Sequence, residues 1–343
     1  MKTTIKTLTL FLLLSSASRC FGQEPSQEKL LNLLHFKEYR LIEKTDTVYF
    51  YVYGQSSRSK KHMVLYVSGS TPQPLFSYEY KDGKLATYTW THKEHQTLSD
   101  DYIYILIAKP GMRGVWSEAA LSRQGNQLPA AWLDKNSLDF RVWQADRVIR
   151  YCHKHFLTDK GKTIVYGHSE GFNVVARLLT VNKQITHAGI WCGSAMPDYY
   201  DFMIMKRQQL HAGKLTDSVA ALQLDTMLHN YRDIFKQPNY KKPGSIYTNK
   251  RWISYARGPI ADLVKVNIPI YQIVATQDAN APYESAFIVP LEFIRLGKTN
   301  LTFKTLVGGD HSLNTVGRNG LRTNHWKVYF QDFINWTNLA ATN

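Results

Sequence analysis

Short, continuous apolar runs recur along the chain and predict the strands of one sheet. The pattern predicts a hairpin over Tyr39–Tyr53, broken at Thr45-Asp46, and then strands at Met63–Ser68, Tyr102–Ala108, Lys162–Tyr166, His187–Trp191, Pro269–Ala275 and Leu301–Val307. Most of these runs do not alternate with polar residues, which is typical of strands covered on both faces. An antiparallel opening is therefore expected to lead into a mostly parallel, twisted sheet.

Helical periodicity fills most gaps between these strands, at Leu138–His155, Glu170–Asn182, Tyr283–Leu296 and Thr323–Leu339. This alternation predicts the α/β class, with helices flanking the sheet. It lapses once, between Pro197 and Val266, where only Tyr199–Leu210 and Asp217–Phe235 carry a clear pattern, and that pattern is helical. Because a long unstructured excursion is improbable inside a compact domain, we interpret residues 197–266 as an inserted helical cap.

The sequence Gly167-His168-Ser169-Glu170-Gly171 joins a predicted strand to a predicted helix. A Gly-x-Ser-x-Gly turn in that setting lifts its serine clear of the fold, and its glycines avoid collisions with nearby backbone. A serine becomes a good nucleophile only when a base takes its proton. Ser169 is therefore the candidate nucleophile, and the backbone N–H of Glu170 is a candidate oxyanion donor. The alternative interpretation is an ordinary glycine-rich turn.

A serine nucleophile needs a histidine base and a carboxylate that orients it. Asp278 follows the strand that ends at Ala275, and His311 follows the strand that ends at Val307. Both come after Ser169 in the order serine, acid, histidine, and both lie at the carboxyl ends of predicted strands. They are the candidate acid and base. We weigh three competitors against them, and consider each less suited: His168, Asp310 and Glu284.

A second oxyanion donor is expected in the loop after the strand Met63–Ser68. This loop reads Gly69-Ser70-Thr71-Pro72, in which the glycine permits a close approach and either Ser70 or Thr71 presents a backbone N–H. We choose Ser70, although the turn geometry cannot be read from the sequence. The competing interpretation is a simple turn without a role in binding.

Two motifs resemble those of α/β-hydrolase-fold esterases. Gly69-Ser70-Thr71-Pro72-Gln73 is similar to their Gly-Ser-Gly-Pro-Gln loop, and residues 167–171 resemble their Gly-His-Ser-Glu-Gly elbow. The resemblance covers roughly residues 39–339 apart from the cap. It implies an α/β-hydrolase fold in which Ser169 is the nucleophile, Asp278 the acid and His311 the base.

The chain departs from that family pattern in the loop after its Tyr102–Ala108 strand. Many members of the family carry Asp-x-Arg-Gly-x-Gly-x-Ser there, whereas residues 109–117 of this chain read Lys-Pro-Gly-Met-Arg-Gly-Val-Trp-Ser. Arg113, Gly114 and Ser117 are retained, but the aspartate and the second glycine are not. Phe172 also stands where a glycine is common after the elbow. These differences bear on the substrate and the neighbouring loops more than on the chemistry.

The first 22 residues predict a secretory signal, with Lys2 and Lys6 before an apolar core and small residues after it. We place cleavage after Gly22, which leaves residues 23–343 as the catalytic domain. Lipidation at Cys20 is a less favoured alternative, because Arg19 stands where such sites have a small residue. No later stretch is long and apolar enough to span a membrane, so an exported, periplasmic or secreted protein is expected.

Composition excludes several other functions. The net charge is +15, but the cations are scattered and no nucleic-acid-binding motif accompanies them. No spacing of histidines, cysteines or acids predicts a metal site, and no glycine-rich loop predicts a nucleotide, so we expect no cofactor. Two cysteines follow the signal, Cys152 and Cys192, and the sequence does not say whether they pair. The oligomeric state is equally open.

These features predict an exported serine hydrolase that acts on a small-molecule or peptide acyl substrate, with carboxylic esters as the first choice. A prolyl-oligopeptidase-like peptidase is the nearest alternative, and its sign would be acids in the cap that bind a free amino terminus. Asp198 and Asp201 are candidates, but the sequence is equally consistent with surface charges. Acyl transfer to another alcohol would use the same residues. A non-catalytic binding protein on the same scaffold is the alternative from another class.

Overall fold

The computed structural model describes residues 24–55, 58–89, 91, 93–124 and 127–339. The predicted signal segment, residues 1–22, and Cys20 within it lie outside these ranges. The described strands are β1 Lys37–Glu43, β2 Asp46–Tyr53, β3 Lys61–Val67, β4 Phe76–Lys81, β5 Lys84–Thr89, β6 Tyr102–Ile107, β7 Val115–Ser117, β8 Thr158–His168, β9 His187–Trp191, β10 Ile270–Ala275, β11 Leu301–Leu306, β12 Asn314–Val316 and β13 Arg322–Asn324. The described α-helices are α1 Gln27–Leu33, α2 Glu118–Gln124, α3 Ala130–Lys135, α4 Leu138–His155, α5 Glu170–Val181, α6 Asp198–His211, α7 Asp217–Lys236, α8 Asn249–Ser254, α9 Ile260–Leu263, α10 Tyr283–Ala286, α11 Ile288–Arg295 and α12 Trp326–Leu339.

Eight of the described strands form one sheet in the order β1-β2-β6-β3-β8-β9-β10-β11. The pairs β1–β2 and β2–β6 are antiparallel, and every later neighbouring pair is parallel. The predicted antiparallel opening and mostly parallel continuation are therefore confirmed. The carboxyl ends of β3, β8, β10 and β11 lie at the same edge of the sheet, so the loops that follow them meet there.

The sheet is covered on both faces, which explains why its strands are continuously apolar. Along β3, Met63, Leu65 and Val67 belong to one buried cluster, together with residues of α4, α5 and α11. Val64 and Tyr66 point the other way, into a second cluster with residues of α1 and α12. Because successive side chains of a strand face opposite sides, two covering layers require apolar residues at consecutive positions.

Most predicted boundaries are close to those observed, and β9 and α4 are confirmed to the residue. The prediction of one helix over Tyr283–Leu296 was wrong, because the segment forms α10 and α11 with Phe287 between them. Pro290 has no backbone N–H to donate to the carbonyl of Ala286 four residues earlier. The side-chain amide of Gln272 donates to that carbonyl instead, at 2.9 Å.

The start of the last helix and a small sheet also differ from expectation. The predicted helix Thr323–Leu339 begins at Trp326, because Arg322–Asn324 pairs with β12.

A three-stranded sheet in the order β5-β4-β7 was not predicted. Its β4–β5 hairpin turns at Asp82-Gly83, where both residues have positive φ angles of 51° and 74°. That dipeptide is a strong hairpin signal, and the sequence interpretation overlooked it.

Between β9 and β10 the described chain forms the helices α6, α7, α8 and α9 and no strand, in agreement with the predicted helical insertion. Tyr199 of α6 stacks on Tyr231 of α7 with ring centroids 4.2 Å apart. Thr216 caps α7 by accepting a hydrogen bond from the backbone N–H of Val219. The insertion follows the strand next to the elbow, which places its helices beside the loops at the carboxyl edge.

Cys152 and Cys192 are both buried and not joined to each other, which answers the question that the sequence left open. Burial raises the pKa of both thiols. None of the helices in the described ranges combines the length with the apolar character that crossing a bilayer requires.

Candidate active site

Ser169 occupies the sharp turn between β8 and α5, as the sequence predicts. Its backbone angles are φ 58° and ψ −127°, in the left-handed half of conformational space that side chains avoid. Its backbone N–H donates to the carbonyl of Trp191 on β9 at 3.0 Å, which fixes the turn to the neighbouring strand. A strained serine held by its surroundings at the end of a central parallel strand is typical of a nucleophile elbow.

The glycines around Ser169 are required by close packing. A Cβ atom on Gly167 would lie 2.2 Å from the carbonyl oxygen of Gly171, and one on Gly171 would lie 2.1 Å from that of Val67. A Cβ atom on Gly69 would lie 3.1 Å from the Cβ atom of Ser169. The elbow, strand β3 and the loop after β3 can therefore approach one another only because these positions carry no side chain.

Replacing Gly171 with alanine should lower the free energy of unfolding by about 3 kcal/mol or more, because the new methyl group collides with backbone that cannot move aside. Chemical denaturation of the wild type and the variant measures this loss. Gly161→Ala is the matched control, since its nearest contact is the flexible carboxylate of Asp159 at 3.2 Å. Equal losses in the two variants would contradict the packing argument.

The structure brings the predicted acid and base together. The Nδ1 atom of His311 lies 2.8 and 3.0 Å from the two carboxylate oxygens of Asp278. The Asp278 side chain is 1% exposed and also accepts hydrogen bonds from the backbone N–H groups of Asn280 and Ala281, each at 2.8 Å. A carboxylate acceptor places the proton on Nδ1, so Nε2 is the nitrogen that is free to accept one.

The three competing residues have other contacts. His168 bonds the backbone carbonyl of His311 through Nε2 at 2.7 Å, so it supports the loop that carries the base. Asp310 pairs with Arg322 of β13 and accepts a hydrogen bond from the backbone N–H of Asn314, the first residue of β12. Glu284 is exposed and is bonded by the side chain of Gln208. The structure therefore pairs His311 with Asp278, and the roles of the two residues stay a prediction.

The side chain of Glu170 is buried between two arginines, which sequence reasoning did not predict. Arg141 of α4 and Arg251 of α8 each approach one of its carboxylate oxygens to 2.5 Å. Burial by itself would raise the pKa of Glu170, but the charges of Arg251 and Arg141 outweigh it and lower the pKa to about 2. The residue whose backbone N–H is the candidate oxyanion donor is thus fixed by two ion pairs.

Arg251 connects the helical insertion to the elbow. Its guanidinium also pairs with Asp198 at the start of α6, at 2.8 Å, and lies about 4.5 Å from the ring centroids of Tyr247, Trp252 and Tyr255. Cation–π contacts of this kind suit a planar guanidinium that is shielded from water. No local pattern around Arg251 signals this role, because its partner Glu170 is 81 residues away in the chain.

Side chains hold the loop that carries Ser70, the predicted second oxyanion donor, by hydrogen bonds to its backbone carbonyl groups. Arg141 donates to the carbonyl of Ser68 at 2.6 Å, and the hydroxyl of Tyr247 donates to that of Ser70 at 3.3 Å. Lys109 donates to the carbonyl of Thr71. Three side chains from different elements therefore orient this loop beside Ser169, and Ser70 and Thr71 both border the cavity described below.

Burial and repulsion from Arg141 lower the pKa of Lys109 from 10.5 to about 7, against the attraction of Glu170. Between those two pH values the unfolded chain binds more protons at this residue than the folded one, so the cost of burying the lysine decreases as pH rises.

The free energy of unfolding of Lys109→Met minus that of the wild type should therefore fall as pH rises from about 7 to 10.5. Denaturation at a series of pH values measures this difference. Lys236→Met, at an exposed lysine, should show a constant difference, and a constant difference at Lys109 would argue against the buried charge.

A cavity of about 540 Å³ opens at the carboxyl edge of the sheet, bordered by Ser169, His311, Ser70, Lys109 and Arg251. Asp198 and Asp201 of α6 also line it. The sequence left open whether these two acids are surface charges. The structure buries Asp201, which is 4% exposed, and pairs Asp198 with Arg251. The amphipathic pattern of α6 is weak, so the sequence does not indicate which side of the helix faces the body.

Comparison with known proteins agrees with this architecture. No protein-family model and no curated protein matches the chain. Among solved structures, it is similar to the acylaminoacyl peptidase of Pyrococcus horikoshii, with 13% identity and a TM-score of 0.54 over 90% of this chain and 43% of the peptidase. It is also similar to Est1E of Butyrivibrio proteoclasticus, with 10% identity and a TM-score of 0.52 over 89% of this chain and 99% of that protein.

The chain has the α/β-hydrolase fold. A third similar structure, a puromycin-hydrolyzing peptidase of Mycobacterium tuberculosis, has 14% identity and a TM-score of 0.51 over 81% of this chain and 37% of the peptidase. The chain therefore spans less than half of the length of the two peptidases. In an α/β-hydrolase fold the loops at the carboxyl edge hold the functional groups, which is where Ser169, Asp278 and His311 lie.

Proposed function

We propose that the protein is a serine hydrolase that cleaves carboxylic esters through an acyl-enzyme. The observation that carries the proposal is the pairing of His311 with the buried carboxylate of Asp278. His311 lines the same cavity as Ser169, and Ser169 lies in the strained elbow. A histidine with only a structural role does not require a buried carboxylate partner beside a cavity. A turn with only a structural role does not require a strained serine there. Their combination supports a nucleophile with its own base.

In the proposed reaction the Oγ atom of Ser169 attacks the ester carbonyl while Nε2 of His311 takes its proton. The backbone N–H groups of Glu170 and Ser70 bind the oxyanion that forms. The C–O bond to the alcohol then breaks, and His311 returns the proton to the leaving alcohol. Water, deprotonated by His311, attacks the acyl group on Ser169 and releases the acid, while Asp278 keeps the imidazole oriented and stabilises its charged form.

The test compares 4-nitrophenyl esters with 4-nitroanilides of the same acyl groups. We expect the wild type to hydrolyse the esters, and to do so at least about a thousand-fold faster than Ser169→Ala. Ser312→Ala is a suitable control, since Ser312 borders the same cavity without belonging to the predicted triad. Ester hydrolysis that survives the loss of Ser169, or its absence from a folded wild type, would overturn the proposal.

Cleavage of amides is the second candidate, because two of the similar structures are described as peptidases. Faster turnover of the anilides than of the esters would favour it.

We further propose that the protein acts after export, on the basis of the basic and apolar character of residues 1–22. Labelling the amino terminus of the protein purified from its natural host tests cleavage after Gly22.

A further inference from the structure

Six carboxyl groups are buried among the residues that the structure describes, and four of them pair with a basic side chain, which is an arginine for three of them and a histidine for the fourth. Asp146 pairs with Arg150, Glu170 with Arg141 and Arg251, Asp262 with Arg177 and Arg257, and Asp278 with His311. The other two, Glu94 and Asp201, are held by hydroxyl groups. Because burying a carboxylate without a countercharge is costly, these two positions require an explanation.

The two positions differ in what surrounds them. Glu94 lies in the protein interior, where the hydroxyls of Tyr104 and Tyr166 bond it at 3.2 and 2.6 Å. Asp201 lines the same cavity as Ser169. A buried carboxyl group that borders the space next to a nucleophile is within reach of a bound substrate, whereas one enclosed by tyrosines is not.

The immediate contacts of Asp201 leave it able to accept more hydrogen bonds. The hydroxyl of Ser194 donates to one carboxylate oxygen at 2.8 Å, and the hydroxyl of Ser285 lies 2.5 Å from that of Ser194, close to the carboxyl group. A carboxylate has about four acceptor positions, so two hydroxyl donors do not fill them. The serines orient the group without neutralising it.

The surrounding charges favour a cation at this position. Burial raises the pKa of Asp201 to about 7, and the neighbouring carboxylates of Asp198 and Asp278 contribute to that rise. The nearby guanidinium of Arg251 is already bound to Asp198 and Glu170. A positively charged group brought by a ligand would supply the countercharge that the protein does not.

We propose that Asp201, held by Ser194 and Ser285, binds the protonated amine of an acyl substrate, and that the protein therefore prefers esters of amino acids to esters of uncharged acids. This inference rests on the proposed hydrolase function. An ammonium group has three donors and can bond the carboxylate while the acyl carbonyl lies at Ser169.

The test uses pairs of 4-nitrophenyl esters in which an ammonium group replaces a methyl group: glycyl with propionyl, β-alanyl with butyryl, and L-alanyl with isobutyryl. For at least one pair, we expect kcat/KM of the wild type to be about tenfold or more higher for the amine. Asp201→Asn keeps the shape but removes the charge, and should lower that preference about 10- to 100-fold. Glu284→Gln, at an exposed carboxylate on α10 outside the cavity, should leave the preference unchanged.

Labelling with a fluorophosphonate, followed by intact mass, separates the two possible failures. A labelled wild type that shows no amine preference in any pair would overturn the amine site and leave the hydrolase proposal intact. An unchanged preference in a labelled Asp201→Asn variant would also overturn the amine site. A folded wild type that neither reacts with the probe nor hydrolyses any ester would overturn both. The absence of a preference in the wild type overturns the amine site even if the variant fails to fold.

Discussion

Replacing His311 with alanine should lower kcat/KM for the best ester substrate by about 10⁴- to 10⁶-fold. The imidazole is the group that takes the proton of Ser169 and returns it to the leaving alcohol, so its loss removes both halves of the proton transfer. The remaining activity would come from the oxyanion donors and from binding alone. Steady-state hydrolysis of the ester by the two proteins at equal concentration measures the loss.

The control for this prediction is His229→Ala, at an exposed histidine of α7 whose removal leaves the cavity intact. It should hydrolyse the ester as fast as the wild type. Circular dichroism and the melting temperature should show that His311→Ala is folded, since the side chain of His311 lies at the surface of the cavity. A folded His311→Ala variant with more than about a tenth of the wild-type activity would show that another group is the base.

The second large effect is expected at Arg251, in the free energy of unfolding. Arg251→Met should lower it by about 3 kcal/mol, because the buried Glu170 then keeps only one of its two cationic partners. The variant should also lose activity, since Glu170 carries a proposed oxyanion donor on its backbone. Urea denaturation gives the first quantity, and the hydrolysis of an ester gives the second.

Two controls distinguish the effect of breaking the buried network of Glu170, Arg141 and Arg251 from the effect of losing any arginine. Arg295→Met breaks an exposed pair with Glu292 and should change the free energy of unfolding by less than about 1 kcal/mol. Glu170→Gln should cost less stability in the Arg251→Met background than in the wild type, because one buried arginine instead of two then loses its carboxylate partner, and a double-mutant cycle quantifies this coupling. Additive losses, or a loss equal to that of Arg295→Met, would contradict the account of this network.

The pH dependence of stability provides a further check on the same network. The pKa of Glu170 is lowered from 4.5 to about 2, so its contribution is fully present above pH 4.5 and is lost as pH falls toward 2. In Arg251→Met the pKa of Glu170 should be higher, because its largest favourable partner is gone. The free energy of unfolding of the variant should therefore depend less steeply on pH in this range.

The sequence predicts the parallel sheet and the positions of Ser169, Asp278 and His311 because these follow from local patterns and from chain order. Continuous apolar runs identify strands with two covered faces, and the carboxyl ends of parallel strands share one edge. The residues that follow three such ends therefore come together without any knowledge of the loops. The bounds of α6 and α7 were predicted nearly correctly for a similar reason, because helical periodicity is also a local pattern.

The ion pairs and the buried acid could not be predicted in this way, because they depend on how the insertion docks. Glu170 contacts Arg251 across 81 residues, and no periodicity relates the two positions. Asp201 is polar and lies in a helix with little apolar asymmetry, so the sequence pattern does not distinguish a buried position from a surface position. The sequence shows a departure from the family motif in residues 109–117, but the contact of Lys109 with Thr71 becomes visible only when two loops meet.

The most direct test of the central claim is the mass of the intact protein after treatment with a fluorophosphonate probe. The account predicts one adduct per wild-type chain, located on Ser169 by peptide mapping, and no adduct on Ser169→Ala. It also predicts much slower labelling of His311→Ala. A folded wild type that stays unmodified, or an adduct that persists in Ser169→Ala, would show that Ser169 is not an activated nucleophile.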